Sequence, residues 1–170
     1  MTIRGTAHKL GHHIDTDVII PARYLVTNDP AELATHCFED LDLTLRARIR
    51  PGDIIVAGDN FGQGSSREHA PIAIKALGIP CIVAISFARI FYRNAFNIGL
   101  PLVESADAYL GIEEGHDIEV DLSAGRVGNH STARTFISTP IPDFMQRLLD
   151  AGGIVGYVHA QRHHGIGGSK

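Results

Sequence analysis

The residues best equipped for chemistry lie together in one stretch, Gly58 to Ala70, which reads GDNFGQGSSREHA. Two adjacent hydroxyls, Ser65 and Ser66, are followed directly by the guanidinium of Arg67, the carboxylate of Glu68 and the imidazole of His69. Gly62 and Gly64 allow a tight turn and let the backbone come close to a bound anion. Arg67 offers a planar fork that holds a carboxylate through two bonds at once. Ser65 and Glu68 have the spacing of a capping box, with Ser65 as the N-cap of a helix and Glu68 at its third position. That predicts unpaired backbone N–H groups and the positive end of a helix dipole beside the serines, a setting that attracts carboxylate or phosphate. A cap by itself is worth ~1 kcal/mol and calls for neither two glycines nor an arginine. The phosphate-loop spacing GxxxxGK and the dinucleotide pattern GxGxxG are both absent. The stretch reads as a carboxylate-binding turn with a hydroxyl close to the anion.

The elements around it say where such a turn sits. Ile54 to Ala57 is a short, β-branched apolar run, expected to be a buried strand that ends where the turn begins. Ala70 to Leu77 has helical spacing and stops at Gly78. Pro80 to Ile85 predicts a second buried strand, Ser86 caps a helix running to Phe96, and Leu100 to Val103 is a third strand. This alternation favours a parallel sheet flanked by helices, with the serine turn at a strand's carboxyl end, where such sheets place ligands. Upstream, Gly5 to Leu10 suggests an edge strand, and Asp29 to His36 a helix with Asp29 as N-cap and Pro30 first inside it. Downstream, Asp117 to Leu122 and Arg134 to Ser138 alternate as antiparallel strands, joined by a turn-rich stretch over 123–129. Ile141 to Asp150 predicts a closing helix. A single domain over 1–170 is expected, with a flexible tail over 160–170.

The totals narrow the class of function. With 44% hydrophobic and 20% charged residues in 170, the chain has the composition of a soluble globular protein. A chain this long buries roughly 70% of its unfolded surface without needing disulfides. A net charge of -4 argues against nucleic acid as a partner. No apolar run is long enough to span a bilayer, and the first residues lack the apolar core of a secretory signal, so a cytoplasmic location is expected. The two cysteines, Cys37 and Cys81, stand far apart. A cysteine-ligated cluster needs three or four thiolates, so this chain alone is not expected to hold one. The His12–His13 and His163–His164 pairs are not spaced to converge on a metal, and no metal site is expected.

At this point three segments together resemble one family. GDNFGQGSSREHA is similar to the signature of the swivelling domain of aconitase-type enzymes. IDTDVIIP, Ile14 to Pro21, resembles the upstream motif of that domain in stand-alone small subunits, and SFARIFYRNAFNIGLP, Ser86 to Pro101, resembles its next block. In order, they cover most of residues 10–103. The resemblance implies an α/β fold: a three-layer, swivelling β/β/α domain with a small mixed or antiparallel C-terminal part. It implies the small subunit of a two-subunit hydro-lyase, active only with a large subunit that carries a 4Fe–4S cluster. It assigns Ser65 the role of base, removing a proton beside a carboxylate, and Ser66 and Arg67 the binding of a substrate carboxylate. Asp17 would be an active-site partner, although Asp15 and Asp17 equally suit caps for the segment after them. His69 reads as a packed neighbour of the site.

Tyr24, Leu25, Val26 and Thr27 fall where small subunits of this family resemble one another but differ by substrate. Members acting on homoaconitate resemble this pattern with an arginine at the Val26 position. An apolar Val26 suits an isopropyl group, which makes isopropylmalate the expected small dicarboxylate substrate and leucine biosynthesis the setting. Homoaconitate and dimethylmalate-type acids are the alternatives, since one apolar contact discriminates by only ~1–3 kcal/mol. Two other classes remain open: a non-catalytic module that senses an anionic metabolite, and a free-standing serine hydrolase, against which stands the missing GxSxG elbow.

Overall fold

Apolar runs too short for helices and buried on both faces become the inner strands, and the sheet they form positions everything else. The computed structural model describes residues 1–165. In chain order its elements are β1 (Thr2–Lys9), α1 (Thr16–Ile19), a single 3-10 turn (Ala22–Tyr24), α2 (Pro30–His36) and α3 (Leu43–Arg48). There follow β2 (Ile54–Ala57), α4 (His69–Ala76), β3 (Ile82–Ala84), α5 (Arg89–Asn97), β4 (Leu102–Glu104) and α6 (Ala106–Gly111). The chain continues through β5 (Asp117–Asp121), β6 (Arg126–Asn129), β7 (Arg134–Ile137), α7 (Asp143–Asp150) and α8 (Ile154–Gly165).

The seven strands form one mixed sheet in the order β4-β3-β2-β1-β5-β6-β7. The first four run parallel, and β1 onward to β7 antiparallel. Every residue of β2 and β3 is buried, as expected for strands covered on both faces. β5 instead alternates, burying only Ile118 and Val120. Its successive strands carry Val127 and Phe136 to the same interior. The sheet curls so that its ends meet: the Ser105 hydroxyl donates to the Ile137 carbonyl at 2.8 Å, and the Thr139 amide to the Glu104 carbonyl at 2.9 Å. Helix α6 packs against both β3 and β7, bridging the two halves of the sheet where they meet. On the other face, α2, α4 and α5 pack in sequence, and α7 and α8 extend the layer beyond α5. Two β layers and one helical layer are the result, the architecture that the resemblance implies.

Three local expectations are corrected. The first strand is an inner strand: Thr2 to Thr6 pair with β5 and Ala7 to Lys9 with β2, so both sides are occupied along different halves of its length. The turn-rich stretch over 123–129 contains β6, because Val127 is buried and both neighbouring strands bond to it. Ser86 does not cap α5; its hydroxyl accepts from the Asn60 amide at 2.8 Å, and the helix starts at Arg89. Helix α8 covers residues 154–165, and thus the first part of the stretch where a flexible tail is expected; residues 166–170 lie outside the described residues. The Asp29 cap does form, accepting from the Ala31 amide at 3.1 Å. Cys37 and Cys81 are fully buried, and burial pushes both thiols above their ordinary range. Among the described residues, no helix is long and apolar enough to cross a membrane.

Two carboxylates tie this frame to pH. Asp42 caps α3, and hydrogen bonds from the hydroxyl and amide of Thr44 hold its carboxyl below the usual range. Asp117 is held low by the hydrogen bonds and charge of Arg4, which spans β1 and β5 at 2.6 and 3.0 Å. A folded-state pKa below the unfolded value of about 4 stabilises the protein above that pH, and the stabilisation is lost as pH falls through the lower folded value. The melting temperature should therefore drop on acidification below about pH 4, and Asp117→Asn should flatten that drop in thermal melts taken across the same range.

Candidate active site

Because β1 and β2 are parallel neighbours, the segments leaving their carboxyl ends emerge side by side. The Leu10 amide donates to the Val56 carbonyl at 2.8 Å and the Gly58 amide to the Gly11 carbonyl at 3.0 Å, carrying the pairing past the strands. It resumes where the two segments matter most. Asp15 and Gln63 form a parallel bridge, with the Gly62 amide donating to the Ile14 carbonyl and the Thr16 amide to the Gln63 carbonyl, both at 2.8 Å. The turn around Ser65 is thus bonded directly to the DTD segment that opens α1.

Below the turn, a polar layer fixes its backbone. The Asn60 side chain donates to Gln63 Oε1 at 2.9 Å, and Gln63 Nε2 donates to the His13 carbonyl at 3.3 Å. Phe61, Phe87 and Phe91 pack edge to face and in parallel underneath. Gly62 and Gly64 are both required. At φ +83° and +100°, each has a backbone that side chains rarely adopt, and a Cβ at Gly64 would lie 2.6 Å from an Asp15 carboxylate oxygen.

The DTD segment divides its work by residue. The Asp15 carboxylate caps α1, accepting from the Asp17 amide at 2.8 Å. That leaves the Asp17 carboxylate to form an ion pair with Arg67 Nη1. Asp17 is 60% exposed and Arg67 only 20%, so the pair anchors an otherwise covered guanidinium at the rim of the turn. Asp15 and Asp17, alike in sequence, therefore differ in role. Between them Thr16 is buried, and its hydroxyl donates to the Ser65 carbonyl at 3.2 Å, with Ser65 Oγ at 3.4 Å. Ser65 and Ser66 themselves are exposed.

The capping box does not form. Helix α4 starts at His69 with Glu68 as N-cap, Glu68 makes no side-chain cap bond, and Pro71 in the first turn has no N–H to offer. The Arg67 amide instead donates to the Ser65 carbonyl at 2.8 Å, closing a separate small turn ahead of the helix, and the Ser65 hydroxyl faces Thr16. Ser65 is therefore not the N-cap of a helix, and the cation in its own turn is Arg67.

The residue after the segment over 24–27 meets the start of α4: His69 Nε2 and Asn28 Oδ1 are 3.0 Å apart. Tyr24 stacks on His36 at 3.6 Å between ring centres, and Tyr24, Leu25 and Thr27 are half-buried. Val26 is 92% exposed, an apolar side chain offered to whatever approaches this edge. Thr16 and Asn28 are the participants that motif reading missed. The signal for Thr16 lay in plain view, as the one hydroxyl between two acidic residues. Among the described residues, no group of three or more His, Cys, Asp or Glu is placed to hold a metal ion, and the two buried thiols lie far from this edge in sequence.

Residues 13–107, more than half of the chain, match the family model described as "Aconitase C-terminal domain", and they span both the DTD segment and the serine turn. The chain belongs to the aconitase C-terminal domain family. Among its relatives is a protein of Caldicellulosiruptor saccharolyticus named 3-isopropylmalate dehydratase small subunit, 58% identical over 95% of this chain and 93% of that one. A protein of Eubacterium barkeri named 2,3-dimethylmalate dehydratase small subunit is 53% identical over 94% of this chain and 98% of its own length. A crystal structure of 3-isopropylmalate dehydratase from Methanocaldococcus jannaschii superposes with a TM-score of 0.91 at 44% identity, covering 95% of this chain and 96% of that one. As an aconitase C-terminal domain, this chain places its glycine–serine turn at the parallel edge of the sheet.

The positive φ at Gly64 makes a direct check of the turn. Gly64→Ala should shift the Asp15 carboxylate and strain the backbone by about 1–2 kcal/mol, lowering the melting temperature by several degrees. Far-UV circular dichroism should stay unchanged while binding of a dicarboxylate to the assembled enzyme weakens.

Proposed function

We propose that this chain is the small subunit of a hydro-lyase that interconverts 2-isopropylmalate and 3-isopropylmalate through 2-isopropylmaleate, a step of leucine biosynthesis in the cytoplasm. The observation that carries this reading is the direct pairing of the exposed Ser65–Ser66 turn with the segment whose Asp17 holds Arg67, and the exposed Val26 supports it. Relatives named as 3-isopropylmalate dehydratase small subunits at well over half identity support it.

In this reading Ser65 is the base. Its oxygen takes the proton from the carbon next to a substrate carboxylate, the hydroxyl on the neighbouring carbon departs, and water adds back with the opposite regiochemistry. A serine hydroxyl is a weak base, so its ionised form needs positive charge close by, and Arg67 supplies that charge. Ser66 and the remaining arm of the Arg67 fork hold the substrate carboxylate, while Asp17 fixes the angle of the fork. Loss of this anchor weakens substrate positioning rather than the fold, because Asp17 lies at the surface. The partner is a large subunit, and the 4Fe–4S cluster belongs to it; the two buried cysteines here do not suit such a group. Neither nucleic acid nor membrane enters the reading.

Substrate choice follows from Tyr24, Leu25, Val26 and Thr27. Val26 offers an apolar surface to the isopropyl group and no cation to an additional carboxylate. The Eubacterium barkeri relative keeps dimethylmalate as a second reading, since two methyl groups suit the same surface.

Two measurements on the assembled, cluster-loaded enzyme test these assignments. Ser65→Ala should lower turnover by about 10³-fold or more while co-elution with the large subunit persists; near-normal turnover would remove Ser65 as the base. A steady-state comparison of isopropylmalate, dimethylmalate and homoaconitate should favour isopropylmalate, with Val26→Arg shifting preference toward homoaconitate by about 10-fold or more. A wild-type preference for the tricarboxylate would overturn the role given to Val26.

A further inference from the structure

We propose that Thr16 is a positioning residue for Ser65: its buried hydroxyl holds the serine's carbonyl in the resting chain and turns to donate to the serine's side-chain oxygen when that exposed oxygen gives up its proton to solvent. The inference rests on Ser65 acting as the base.

Thr16 is 1% exposed, so its hydroxyl has no bulk water to turn to. A buried hydroxyl left without a partner is costly, and here the partners within reach belong to one residue: the Ser65 carbonyl at 3.2 Å and Ser65 Oγ at 3.4 Å. One hydroxyl carries one proton and so serves one of these acceptors at a time. Rotation about the Cβ–Oγ bond moves the proton from one to the other without any backbone change. The frame for that motion is rigid. The Thr16 amide is tied to the Gln63 carbonyl at 2.8 Å, and a β-branched side chain at a helix start has few rotamers.

The direction of the switch follows from charge. A hydrogen bond to an ionised oxygen is about twice as strong as one to a neutral acceptor. While Ser65 is neutral, its carbonyl accepts the Thr16 proton and locks the turn. Once Ser65 is ionised, its side-chain oxygen becomes the better acceptor. The charged and titratable groups on the two paired segments are His12, His13, Asp15 and Asp17 on one side and Asp59, Arg67, Glu68 and His69 on the other, with His12 beside Asp59. Asp17 is met by Arg67, and His69 by Asn28. The Asp15 carboxylate accepts from the Asp17 amide and disfavours a second negative charge nearby. A neutral donor such as Thr16 offsets that repulsion without adding a charge of its own, and no proton is transferred to or from it.

The test uses the enzyme assembled with its large subunit. Thr16→Val keeps the shape and removes the donor. It should lower kcat by about 10- to 100-fold with KM within about 2-fold, and move the rising limb of the kcat–pH profile to higher pH, because the ionised serine has lost a donor. Thr16→Ser should restore most of kcat and the original limb. In a Ser65→Ala background, Thr16→Val should change nothing further. An unaltered profile in Thr16→Val, or Thr16→Ser as slow as Thr16→Val, would overturn the proposal. Thr16→Ala gives the same comparison if the valine does not pack. If Ser65→Ala itself turns over normally, the base assignment fails. If Ser65→Ala is inactive and Thr16→Val is normal, only the role of Thr16 fails.

Discussion

The pairing of β1 with two different neighbours along its two halves governs the rest of the molecule. Its first half bonds antiparallel to β5 and its last three residues bond parallel to β2. One strand thereby joins a parallel half, which needs helical crossovers, to an antiparallel half, which needs only short turns. The crossovers stack on one face, and the curl of the antiparallel half covers the other. Because β1 and β2 end at the same edge, the segments after them have no choice but to run side by side. The edge that carries the candidate site is a by-product of that adjacency, built before any particular side chain is chosen.

What the side chains add is discrimination between groups of the same chemical kind. Asp15 and Asp17 are both acidic and two residues apart, yet one is spent on a helix cap and the other on Arg67. Ser65 and Thr16 are both hydroxyls, yet one is exposed and the other is almost fully buried. In each pair, the more covered residue holds the backbone, while the more exposed one presents its side chain at the surface of the turn. The glycines make this arrangement affordable in space: a side chain at Gly64 would strike Asp15, and one at Gly62 would strike the ring of Phe91.

These distinctions set the limit of what the sequence disclosed. The apolar runs over 54–57 and 80–85 are legible because strands buried on both faces tolerate little besides apolar residues, and Asp29 is legible because its cap uses only its own helix. Ser65 and Ser86 also look like caps, but in each case a distant partner competes for the side chain: Thr16 takes the first and Asn60 the second. Local capping loses to tertiary bonding, and the competing residue is tens of positions away. β6 fails for the same reason in reverse. Its Gly128 and Asn129 have turn chemistry, but strands bond to it on both sides and the Asn129 amide is satisfied by the Gly111 carbonyl at 3.3 Å. The type of each site residue was readable from the motifs, while the division of labour among them was not.

The exposure of the serine turn carries a further physical consequence. In water an ionised serine gains little from a neighbouring guanidinium, because two unit charges 4 Å apart interact by only about 1 kcal/mol at full solvent screening. The same pair is worth several times more once water is excluded. Arg67, largely covered and pinned by Asp17, is already organised for that situation, whereas Ser65, Ser66 and Val26 remain open to solvent. In the proposed reading this edge is half of a site: a surface that covered Val26 and the serines would also remove the water that otherwise screens Arg67. Covering this edge would thus act on binding and on basicity together, and the isolated chain, however well folded, would lack the dielectric environment that the proposed ionisation of Ser65 requires.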